Sequence, residues 1–106
     1  SSALLIKEYT KKIKVQTTNL DEEIKKIQKK IKLIKIEAEG FEPEIVEGLT
    51  KYLNNVEYIT IDCGFERGVK KESTIKECSN YLIKNNFKMI DFGSQRIVTL
   101  FKNLDI

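Results

Sequence analysis

The stretch Ile31-Lys32-Leu33-Ile34-Lys35-Ile36-Glu37-Ala38-Glu39-Gly40-Phe41-Glu42-Pro43 decides the fold. Its first seven residues are rich in β-branched side chains and alternate. Ile31, Leu33 and Lys35 fall on one side, and Lys32, Ile34 and Ile36 on the other. Apolar residues on both sides predict an inner, parallel strand covered by helices. Gly40 permits a sharp turn, and Pro43 suits the first position of a helix. A strand, a tight turn and a helix in immediate succession form the repeating unit of an α/β protein.

Working outward, the helix after Pro43 runs to about Leu53 and buries Ile45, Val46, Leu49 and Leu53 on one stripe. Glu42, Glu44 and Glu47 lie in its first turns, where acids complement the helix dipole, and are expected on the surface. Residues 56–62, VEYITID, alternate as a second strand, with Val56, Tyr58 and Thr60 opposite Glu57, Ile59 and Ile61. Thr74 and Glu77 have capping-box spacing ahead of a helix reaching about Asn86, whose core stripe is Ile75, Cys78, Leu82 and Tyr81. Residues 87–92 and 96–101 flank Gly93-Ser94-Gln95 as a β-hairpin. Upstream, 12–18 reads as a half-exposed strand, and Asn19 with Glu22 opens a short helix ending near Lys30. The expected order is β-α-β-α-β-α-β-β, one α/β unit with an open mixed sheet. Strands separated by helices imply parallel pairing, and the terminal hairpin adds antiparallel strands.

Composition narrows the chemistry. The chain of 106 residues is 41% hydrophobic and 33% charged, and it contains no His. That removes Ser-His-Asp and Cys-His nucleophiles and any imidazole metal site. Cys63 and Cys78 are too few for a structural zinc and read as core-filling thiols in a reducing cytoplasm. No apolar run approaches the roughly 20 residues of a membrane helix, and the start has no signal-peptide pattern. Arg67 and Arg96 are the only arginines among 19 basic residues, which disfavours nucleic-acid readout. The net charge of +3 conceals three blocks: +6 over residues 1–36, −7 over 37–66 and +4 over 67–106.

The acidic block coincides with the strand exits. In open α/β sheets, ligands bind beyond the carboxyl ends of the parallel strands. The strand at 31–37 delivers Glu37, Glu39 and Gly40 to that edge, and the strand at 56–62 delivers Asp62, Gly64, Glu66 and Arg67. Neighbouring carboxylates can bind a cation, act as a general base or hold hydroxyl groups.

These residues carry a family resemblance. The run from Lys35 through Glu42, continuing to Ile45-Val46 and Gly48-Leu49, resembles the signature of the FkbM methyltransferase family, K-I-D-V-E-G-F/A-E. The run Asp62-Cys63-Gly64-Phe65-Glu66-Arg67-Gly68 resembles its D-x-G-x-E-R-G segment, and Val15 to Asp21 resembles the strand and helix start before the signature. Position 37 is Glu where the family has Asp, and position 38 is Ala where it has Val. The resemblance spans about residues 12–101. It implies an O-methyltransferase dependent on S-adenosylmethionine, built on a Rossmann-like seven-stranded sheet whose later strands and hairpin this chain supplies.

On that reading Glu37, Glu39 and Asp62 orient or deprotonate an acceptor hydroxyl, while Glu66, Arg67, Gly40 and Gly64 shape its binding site. No metal is implied. No G-x-G occurs in the sequence, so the chain is expected to be the carboxyl-terminal part of a larger domain and not to bind S-adenosylmethionine alone. The acceptor is a small molecule or sugar bearing a hydroxyl. The strand at 31–37 is expected to have its free edge covered by residues 12–18, by the N-terminal segment or by a second copy of the chain. The alternative is a non-catalytic α/β module that uses the acidic rim for a metal or a protein partner.

Overall fold

The computed structural model describes the strands Ala3–Glu8 (β1) and Lys12–Gln16 (β2) and residues 30–106 throughout. The remaining elements are β3 (Ile31–Glu37), α1 (Glu42–Gly48), a 3₁₀ helix (Thr50–Asn55), β4 (Val56–Asp62), α2 (Ile75–Lys84), β5 (Phe87–Gly93) and β6 (Val98–Asn103). The short helix expected from Asn19 to near Lys30 falls on residues 17–29, outside the described residues.

The described strands form one mixed six-stranded sheet in the order β2-β1-β3-β4-β6-β5. β3 and β4 are parallel, as the βα pattern requires, with Ile34 opposite Ile59 and Ile36 opposite Ile61. β6 inserts antiparallel between β4 and β5, so the terminal hairpin returns through the sheet before reaching its edge.

The amino-terminal side departs from expectation. Residues 12–16 do not pair with β3. The segment 3–8, for which the sequence alone predicts no element, is a strand that pairs antiparallel with both β2 and β3. Its alternation in ALLIKE is weak, and its strand character comes from the partner on each side. β1 thus covers the edge of β3, and β2 and β5 become the sheet margins.

One face of the sheet carries α1 and α2. Ile34, Ile36, Ile59 and Ile61 are fully buried there with Val46, Leu49, Leu82 and Phe101. Each such side chain contributes roughly 1.5–3 kcal/mol by leaving water. The opposite face is only partly covered: Leu33, Tyr58 and Thr60 are half-buried and Lys35 is exposed. Among the described residues, the helices α1 and α2 cover β3 from one face. The stripe Ile45, Val46, Leu49 and Leu53 is buried as its spacing predicts. The single helix expected there is broken into α1 and the 3₁₀ turn. Buried Asn103 donates its amide to the carbonyls of Leu53 and Val56, satisfying the end of that turn.

Candidate functional site

Glu37 and Asp62 are the last residues of β3 and β4. The strands are parallel and Ile36 is opposite Ile61, so these two carboxylates leave neighbouring strands together, about 4.8 Å apart in backbone spacing. They emerge on the face away from the helices. Glu37 pairs with Lys35 at 3.0 Å and stays exposed. Asp62 is more enclosed: Oδ1 accepts the Gly64 amide at 3.1 Å, and Oδ2 lies 3.3 Å from Nη2 of Arg96.

Beyond the strands the two exit loops touch. Glu39 and Gly40 both have left-handed backbones, with φ of 50° and 99°. A side chain at position 40 would stand 2.7 Å from the Glu66 carbonyl oxygen, so only glycine lets the loops meet. Arg67 closes the contact. Its Nη1 donates to the Gly40 carbonyl at 2.7 Å, and the guanidinium grips Glu44 through two bonds of 2.6 Å. This partner, with its hydrogen bonds, holds the Glu44 carboxyl below its usual range. The residue read as reaching for an acceptor therefore spends donors inside the protein. Phe41 and Phe65 are both exposed, one on each loop.

Glu42 corrects the sequence reading. It is 1% exposed, not on the surface. Its Oε2 accepts the amides of Ala38 and Gly40 at 3.2 and 2.9 Å, and its Oε1 accepts the Thr74 hydroxyl at 2.8 Å. Thr74 accordingly does not cap α2 with its side chain, as the Thr74–Glu77 spacing suggested. Ser73 supplies that function by accepting the Ile75 amide at 3.2 Å. One signal for Glu42 was local, since its carboxylate folds back on amides two and four residues earlier. Thr74, 32 residues away, had none.

A third segment joins the rim. The turn before β6 sets Arg96 against Asp62 and lets the Ile97 carbonyl accept the Cys63 amide at 3.0 Å. Ile97 holds a left-handed φ of 50°, unfavourable for a β-branched residue, with its side chain packed on the core. The sequence predicts this hairpin only as a pair of antiparallel strands, with no part in the rim.

The rim thus gathers Glu37 and Asp62 below, and Glu39, Gly40, Gly64, Glu66 and Arg67 in the loops above. Among the described residues, no three metal-ligating side chains come close enough to hold an ion. No described helix is long and apolar enough to cross a membrane. The chain offers carboxylates, braced loops and exposed aromatic rings, an arrangement suited to orienting hydroxyl groups and taking up a proton.

A family model described as the methyltransferase FkbM domain matches residues 1–91. Comparison with curated proteins and with solved structures gives no match.

Proposed function

The chain belongs to the FkbM methyltransferase family, and from that premise we propose that it forms the acceptor side of a methyltransferase acting on a hydroxyl of a small molecule or sugar. The observation that carries this reading is the pairing of Glu37 and Asp62 at the ends of adjacent parallel strands, beneath two braced loops. Glu39 and Asp62 orient the acceptor hydroxyl and receive its proton, and Glu37 supports them electrostatically. Arg67 fixes the Gly40 carbonyl and thereby the loop that carries Glu39. Gly40 and Gly64 let the backbone come close, and Glu66 accepts further acceptor hydroxyls.

The family implies S-adenosylmethionine as donor, and the residues described do not fit it. A donor site on this sheet needs a further strand parallel to β3, ending in a glycine-rich loop beside Glu37. β1 occupies that position in the opposite direction, bringing Ala3 beside Glu37. We therefore assign donor binding to residues outside this chain, within a larger domain of which it is the acceptor part. Its two free thiols suit a reducing compartment such as the cytoplasm.

Transfer of a labelled methyl group by the enzyme containing this chain tests the reading. Asp62→Asn and Glu39→Gln are each expected to slow transfer on the order of 10²-fold while the fold is kept. Full activity in both variants would remove the assigned roles.

A further inference from the structure

β5 is the sheet margin on the far side from β1 and β3. Among the described residues its outer edge has no partner strand, and Ile90 and Phe92 are each 46% exposed along it. A margin of this kind, without proline and with apolar side chains in water, is a template for another strand.

The pairing with β6 fixes which way each β5 side chain faces. Lys88 is opposite Lys102 and Asp91 opposite Leu100, whereas Phe87, Met89 and Phe92 are opposite Asn103, Phe101 and Thr99. Residues an even number apart on a regular strand share a face. Buried Asn103, Phe101 and Thr99 therefore put Phe87, Met89 and Phe92 on the helix face, and Lys88 and Asp91 lie together on the open face. Positions 88 and 91 share a face only because the strand bulges between Met89 and Asp91. Neither charge is matched within its own sheet. Lys88 stands across from a second lysine and Asp91 across from a leucine. Asp91 Oδ1 accepts the Phe92 amide at 2.9 Å, and among the described residues neither side chain forms an ion pair.

We propose that β5 pairs antiparallel with β5 of a second copy of this chain, about a two-fold axis perpendicular to the sheet between Met89 and Ile90. Such a contact is self-complementary, so each residue is met by the residue it meets in the other copy. Lys88 meets the partner's Asp91, and Asp91 meets the partner's Lys88, all on the open face. Phe92 meets the partner's Phe87 on the helix face, and Met89 and Ile90 close the centre. Both strands carry the same bulge, so the register has no residue left over. The bulge that guards an edge against ordinary strands thus selects a strand of the same sequence. The two six-stranded sheets join into one, with the acidic rims at opposite ends and the β1 side of each sheet free.

Sedimentation equilibrium of the intact chain from about 1 µM to 1 mM, with amide exchange at both extremes, tests the pairing. The expected result is a reversible monomer–dimer equilibrium in which β5 amides exchange more slowly as concentration rises. Lys88→Glu and Asp91→Lys should each weaken dimerisation about 10-fold or more, because each sets like charges opposite one another twice. An equimolar mixture of the two single variants restores attraction at both positions, as does the double variant, and both should dimerise as the wild type does. Both side chains are exposed, and melting curves check that the variants fold. If one does not, exchange in the wild type decides alone. A monomer across the whole range, concentration-dependent protection confined to another strand, a dimer indifferent to both charge reversals, or a mixture of folded variants that stays monomeric would each overturn the proposal.

Discussion

Glu42 illustrates how one carboxylate organises a rim. It accepts two loop amides and the Thr74 hydroxyl in an environment closed to water, so removing it takes an acceptor from three buried donors at once. Glu42→Ala is expected to cost about 3 kcal/mol or more, read as a fall in the urea midpoint, with Glu42→Gln much milder because its amide still bridges. Arg67 contrasts with this. Its partner Glu44 is half-exposed, so the pair contributes no more than about 1 kcal/mol. The sign of its pH dependence follows from the lowered carboxyl. The contribution is complete above the ordinary value of 4.5 and disappears as pH falls through the lower folded value. Arg67→Ala should therefore cost more stability at neutral pH than in strong acid, where only its hydrogen bond to the Gly40 carbonyl remains to be lost, as thermal melts across that range will show. Helix-start acids ordinarily face water, and the contacts with the Ala38 and Gly40 amides and with Thr74 keep Glu42 from doing so.

The two glycines around α1 separate close approach from simple permissiveness. At Gly40 a methyl group meets the backbone of Glu66 and Arg67, and φ is left-handed. Gly40→Ala is expected to push the exit loops apart and destabilise by roughly 2 kcal/mol or more. At Gly48, the last residue of α1, a methyl group meets nothing within 4 Å. Gly48→Ala should stabilise by about 0.4–1 kcal/mol, chiefly by restricting the unfolded chain. Comparing the two urea midpoints checks both signs together. At this scale much was legible. The buried stripe from Ile45 to Leu53, the parallel partners β3 and β4, and the core positions of Cys78 and Leu82 all follow from periodicity. The break between α1 and the 3₁₀ turn, and the Arg96 turn standing over Asp62, depend on contacts between distant segments, and local pattern does not encode them.

Across the whole molecule, the sheet places an antiparallel hairpin, β1 and β2, against the edge of β3 on which the donor half of a methyltransferase would be built. The sequence foresaw that the edge needed cover and offered the N-terminal segment as one source. The pairing of residues 3–8 on both sides was not readable, because strand identity there is supplied by neighbours more than by alternation. The proposed division is between a chain that carries acceptor-side carboxylates and a donor site built elsewhere. Calorimetric titration of the 106-residue chain with S-adenosylmethionine tests that division most directly. The account predicts no saturable heat, and stoichiometric binding by the chain alone would contradict it.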